Sequence, residues 1–166
     1  MENKNMKEKT SIIQSERHRA IIVLAAIIFA VLFAVISAKA EKFSKEEVVA
    51  ITILAEARGE GKRGMYAVAC VISKRIKERK KTGAQICLQP WQFSCWNEND
   101  PQRLHLRKLL LHELAPYAIT LAKNIKHLDL TFTAQANHYH TKTVNPYWSK
   151  GKRPVVTIGN HVFFKL

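Results

Sequence analysis

The chain has 166 residues, room for one domain and an appendage. Its 27 Lys and Arg outweigh 13 Asp and Glu, a formal charge of +14, which fits either a polyanionic partner or a charged, soluble surface. No H-E-x-x-H, G-x-S-x-G or P-loop pattern occurs, which excludes the chemistries that those motifs carry.

Residues 1–19 read as a basic cytoplasmic leader, with Lys4, Lys7, Lys9, Arg17 and Arg19. Residues 20–38 carry no charge and are mostly apolar, enough to cross a bilayer core as one transmembrane helix. The charge asymmetry keeps the leader inside and sends the rest outward. Ala38-Lys39-Ala40 is an A-x-A pattern, so cleavage after Ala40 competes with an uncleaved signal anchor. The long apolar run and the long leader favour the anchor. In both cases the remainder works in the cell envelope, either anchored in the cytoplasmic membrane and facing outward, or secreted or periplasmic. Nucleic acid is then not a partner. The anionic wall and the lipid surface are the available polyanions.

After a linker at 39–43, residues 44–166 read as the folded domain. Ser44-Lys45-Glu46-Glu47 is a capping box that starts a helix. Val48, Ile51, Leu54 and Ala55 share one face, and Gly59 and Gly61 end the helix near Arg58. A second helix is expected over Lys62 to Lys80, with Met65, Val68, Ala69, Ile72 and Ile76 on its apolar stripe. Its basic end, including Lys74 and Arg75, reads as a solvated terminus that suits the helix dipole. Thr82 to Asn99 reads as a loop. Asp100-Pro101 opens a third helix carrying Leu104, Leu106, Leu109, Leu110 and Leu114. Pro116 interrupts it or opens the next, over Tyr117 to Lys126. Residues 137–144 favour a strand, and Pro154 to Leu166 a hairpin turning at Gly159-Asn160. The fold class is α+β, with three or four helices followed by a small antiparallel sheet.

Glu56 is the leading candidate for chemistry. It sits in the last turn of a helix with apolar neighbours, where desolvation and the negative end of the dipole both favour its neutral form. A carboxyl kept protonated near neutral pH suits a glycosidase's acid. The plain alternative is a partly exposed helix-end residue paired with Arg58 or Arg63. Glu60 is a weak candidate for a second carboxylate, since Gly59 breaks the helix between the two. Cys70 reads as a buried small hydrophobe, while Cys87 and Cys95 bracket a short loop and are able to pair in an oxidising compartment. His138 and His140 point to the same side of a strand, and with His161 offer three zinc ligands or simply cleft lining. Trp91, Phe93, Trp96, Tyr139, Tyr147 and Trp148, interspersed with Gln92, Asn137 and Asn145, suit a sugar-binding groove, with Phe93 and Trp148 assigned to the core.

The blocks Leu54-Ala55-Glu56-Ala57-Arg58-Gly59-Glu60, Gly64-Met65-Tyr66-Ala67-Val68-Ala69, Gln92-Phe93-Ser94-Cys95, Ala136-Asn137-His138-Tyr139-His140 with Val144-Asn145-Pro146-Tyr147-Trp148, and Ile158-Gly159-Asn160-His161-Val162-Phe163 follow in order over most of residues 47–166. Together they resemble the SleB-type cell wall hydrolases, the family of the spore cortex-lytic enzymes. The resemblance implies a lysozyme-like catalytic domain acting on peptidoglycan in the manner of lytic transglycosylases, with Glu56 as the acid. It implies cleavage between N-acetylmuramic acid and N-acetylglucosamine, with closure of the muramic 6-hydroxyl to an anhydro end, or a muramidase outcome. Glu60, Gln92, Tyr139, His140 and Asn145 are the expected substrate-binding residues. No cofactor or metal is expected, and the chain is expected to act as a monomer. The chain departs from the family at Lys74, where Asn is common, and in a short loop from Thr82 to Trp91. Two other readings stand beside this one: a non-catalytic peptidoglycan-binding module, and a zinc amidase built on His138, His140 and His161.

Overall fold

The computed structural model describes residues 43–166 and, ahead of them, Leu24 alone, which is helical. The leader, the expected membrane span at 20–38 and the cleavage point after Ala40 lie outside the described residues. Among those described, no helix is long and apolar enough to cross a membrane.

Helix α1 runs Lys45–Ala57, and its capping box is complete. The Ser44 backbone N–H donates to Glu47 at 2.7 Å, and the Glu47 N–H donates to the Ser44 hydroxyl at 3.1 Å. Its burial is wider than one stripe. Val48, Val49, Ala50, Ile51, Thr52, Ile53 and Leu54 are all buried, so α1 forms the axis of the core. Arg58 closes its end by donating to the carbonyls of Leu54 and Ala55, at 3.2 and 3.4 Å. A single 3-10 turn, Arg58–Glu60, then leads directly into α2 at Gly61–Arg79. The expected stripe of α2 is buried. Its other side, through Ala67 and Val71, packs on the sheet in a second small core with Ala136, Ile158 and Phe163.

Two expectations are corrected. The Thr82–Asn99 segment contains a short helix, α3, at Gly83–Cys87. It begins with a reciprocal box between Thr82 and Gln85, a start signal as legible as that of α1. Gly83 is required there, since a Cβ would lie 2.8 Å from Val49 Cγ2. The leucine-rich third helix is instead a 3-10 segment, Pro101–His105, followed by one α turn, α4, at Leu106–Leu109. Only Leu106 of its leucines is buried, and Leu104 and Leu111 are each 86% exposed. Leu109, Leu110 and Leu114 are partly buried against the core, so one side of the segment packs although the backbone is α-helical for only one turn.

Helix α5, Ala115–Lys123, has Pro116 in its first turn, so the proline opens a helix. Helices α2, α3, α4 and α5 all pack on α1. The strands are β1 (His138–Thr141), β2 (Val156–Ile158) and β3 (His161–Phe164), in the antiparallel order β1-β3-β2. The hairpin turns at Gly159-Asn160, as the sequence predicts. The domain is therefore α+β, helical with a three-stranded sheet.

Candidate active site

The last turn of α1 brings Glu56 against β1. The Tyr139 hydroxyl donates to Glu56 Oε2 at 2.7 Å, across 83 positions of sequence. Part of the Glu56 side chain still reaches solvent, while its carboxyl lies among buried groups. Loss of water around the charged form pushes its pKa above the ordinary 4.5. The Tyr139 hydrogen bond and the Arg75 charge act against this, and the Asp100 charge adds to it. The Tyr139 phenol is itself held well above its usual range, by burial and then by Glu56. The pair therefore shares one hydrogen-bonded, desolvated site at which both residues remain partly exposed.

Arg75 belongs to this site, although the sequence reading placed it at a solvated helix end. It is 5% exposed. Its Nε donates to the Asn137 carbonyl at 2.7 Å, and its guanidinium lies 5.6 Å from the centre of the Phe93 ring. Its Nη1 has no hydrogen-bond partner among the described residues. A buried guanidinium is costly, and burial lowers its pKa, with Tyr139, Cys87 and Glu56 acting to restore it. The signal was present in the sequence. Arg75 lies three residues after Ile72 and seven after Val68, on the apolar stripe itself.

Glu60 has a different environment. Its two carboxylate oxygens accept from the Asn160 backbone N–H at 2.9 Å and the Asn160 side-chain amide at 3.0 Å. Those bonds hold its pKa below 4.5. The clamp fixes the β2–β3 turn to the start of α2, and two glycines make room for it. A Cβ on Gly159 would sit 2.0 Å from Glu60 Oε2, and one on Gly64 would sit 2.2 Å from Glu60 Cβ. Thus Glu60, Gly64, Gly159 and Asn160 form one structural device, and the structure does not bring Glu60 to Glu56.

The remaining candidates separate. Gln92 accepts from Arg79 Nη1 at 3.2 Å, in the turn after α3. His140 lies on the opposite face of β1 from Tyr139, stacked on Phe164 and edge-on to Trp148. Asn145 is exposed and accepts from the Ser149 hydroxyl at 3.4 Å. Asn137 is consumed structurally, donating to Glu78 and the Leu166 carbonyl and accepting from the Leu166 N–H. As expected, Phe93 is buried, whereas Trp148, expected in the core, is partly exposed and packs on His138, His140 and Phe164 of the sheet.

Two further readings are corrected. The register pairs Tyr139 with Phe163 and Thr141 with His161, so His161 shares the Tyr139 face while His138 and His140 take the other. Three zinc ligands are not assembled, and among the described residues no group of three His, Cys, Asp or Glu is placed to hold a metal. Cys70, Cys87 and Cys95 are all free and buried, so Cys87 and Cys95 are not paired. Burial pushes all three thiols up to about 12, which leaves no thiolate for nucleophilic catalysis.

Known proteins share this fold. No curated protein sequence matches significantly. Two solved structures align with the chain. One is the catalytic domain of the Bacillus cereus SleB protein, at 24% identity and a TM-score of 0.54, covering 75% of this chain and 94% of that one. The other is the catalytic domain of the germination-specific lytic transglycosylase SleB from Bacillus anthracis, at 25% identity and a TM-score of 0.56, covering 75% and 98%. The pattern of the cell wall hydrolase family matches residues 59–164, more than half of the chain. The chain therefore belongs to the cell wall hydrolase family and is an enzyme acting on the peptidoglycan of the wall.

Proposed function

We propose that the protein cleaves the glycan strand of peptidoglycan between N-acetylmuramic acid and N-acetylglucosamine, with Glu56 as the general acid. The observation that carries this reading is a desolvated carboxyl, bonded to the half-buried Tyr139 and belonging to a residue that is still partly exposed. Glu56 gives its proton to the glycosidic oxygen as the bond to the anomeric carbon breaks. The carboxylate left behind accepts the Tyr139 hydrogen bond and faces the Arg75 charge, which stabilises it as it forms. The muramic 6-hydroxyl then attacks the anomeric carbon and returns a proton to Glu56, leaving an anhydro end. This outcome needs no second carboxylate.

Hydrolysis by water, a muramidase outcome, is the second reading. Asp100 favours it, as a second carboxylate whose charge reaches Glu56. One of its oxygens, however, is engaged by the Gln102 N–H at 2.8 Å.

The expected envelope location supports this substrate, and residues 20–38 are proposed as the membrane attachment. The test is clearing of a peptidoglycan suspension by the full-length chain, followed by mass spectrometry of the released fragments. We expect clearing with anhydro ends, one water lighter than hydrated ends. Hydrated ends would favour the muramidase. Clearing undiminished by Glu56→Gln would remove the reading.

A further inference from the structure

A cleft of about 580 Å³ is lined by residues 88–91 and 96–101, within the roughly 300–1,000 Å³ usual for small-molecule pockets, and two of its residues connect it to Glu56. One wall is Trp96, whose indole N–H donates to the Thr52 hydroxyl at 2.8 Å. Thr52 stands four residues before Glu56 on α1, so the two share a helix face one turn apart. Asp100, whose charge reaches Glu56, also lines the cleft.

Trp91, which is 84% exposed, also lines the cleft. Residues 89–92 form a β-turn closed by the Gln92 N–H donating to the Gln89 carbonyl at 3.2 Å. Pro90 and Trp91 are its central residues, and Trp91 has φ +62°. A positive φ at the third place of such a turn is the type II form, which selects Gly or Asn. From beneath, Arg79 holds the turn through Gln89 at 2.5 Å and Gln92 at 3.2 Å. A tryptophan here leaves a large aromatic in water and strains the backbone. Neither core packing nor turn geometry selects it. Strain of this kind gathers at ligand sites.

The chemistry of the cleft narrows its occupant. In a chain of charge +14, none of the lining residues is Lys or Arg. The rim offers Asn97, Asn99 and Asp100, which suit hydroxyls and an acetamido group and do not attract anions. Indole faces suit the C–H face of a sugar ring.

We infer that the Trp91–Trp96 cleft is a glycan subsite that holds an N-acetylated sugar ring beside the bond to be cut, with Trp91 as its stacking platform. The inference rests on the Glu56 reading for its place along the strand, but its test does not use catalysis. The probe is the soluble tetramer of N-acetylglucosamine, added to full-length Glu56→Gln protein and followed by calorimetry. Binding is expected, weakened about tenfold or more by a second change, Trp91→Asn, and largely restored by Trp91→Tyr. The melting midpoint of Trp91→Asn should be unchanged or higher, since the turn prefers Asn. Failure of the tetramer to bind, or equal binding by Trp91→Asn, would overturn the subsite. So would a fall in midpoint of more than about 4 °C, which would make Trp91 a packing residue. Trp91-dependent binding of a wall stem peptide without sugars would overturn it as well. If Glu56→Gln still clears the wall while Trp91→Asn loses the tetramer, the proposed acid fails and the subsite stands.

Discussion

Glu56 and Glu60 stand four residues apart in one short motif, and the fold pushes them in opposite directions. Glu56 ends a helix at the axis of the core, where burial favours its neutral form. Glu60 sits one turn later at the surface, where Asn160 satisfies its charge. A carboxyl that is costly to ionise is suited to giving up a proton to substrate. A carboxylate already saturated with donors is suited to holding two segments together. Environment, more than residue type, divides the labour between them.

The largest expected effect that sharpens this comparison is on lysis. Glu56→Gln should lower the rate of wall clearing about a thousandfold, while the protein still pellets with peptidoglycan. Glu60→Gln should leave the catalytic rate nearly unchanged, and a comparable loss there would break the distinction.

Next comes the pH profile. The acid must be protonated, so activity should fall as pH rises through the raised pKa of Glu56. Tyr139→Phe removes the hydrogen bond that favours the ionised form, and Arg75→Met removes the charge that does so. Each should move the alkaline limb of kcat/KM to higher pH while lowering the maximal rate, Tyr139→Phe by more. Arg75→Lys should return the limb toward its original place. A limb that stays fixed in both Tyr139→Phe and Arg75→Met would assign those residues to packing alone.

Smaller effects concern stability. Glu60→Gln should cost about 1 kcal/mol at neutral pH, by denaturant unfolding, because an ionised acceptor of two hydrogen bonds is lost from a partly exposed site. The Glu60 pKa is lowered on folding, so its contribution is present above the usual glutamate range and disappears as pH falls through the folded value. Glu56 has the opposite sign. Its pKa is raised on folding, so stability declines as pH rises from about 4.5 through the folded value. Glu56→Gln should abolish that slope and gain on the order of 1 kcal/mol at neutral pH. A loss of stability with no change of slope would mean that the carboxyl is not desolvated.

The sequence made α1, α2 and the hairpin legible through local signals: a capping box, an apolar stripe and a Gly-Asn turn. It misled at the leucines of 104–114, several of which pack on the core although the backbone makes only a short turn, and at Thr82, where a second capping box went unread. Glu56 and Tyr139 were both legible as residues of interest. Their bond was not, since it spans 83 positions and depends on how β1 docks on α1. Arg75 was hidden because a charge within a basic run reads as solvated, although its place on the stripe pointed inward. Glu60 was legible as a residue of interest, but its bonds to Asn160 were not, since they span 100 positions and depend on the room left by Gly64 and Gly159.

The most direct test of the account is a site-resolved titration of the side-chain carboxyls of Glu56 and Glu60 by carbon NMR in the full-length protein. A Glu56 midpoint above the ordinary glutamate value and a Glu60 midpoint below it are expected. Equal midpoints, or the reverse order, would contradict the account.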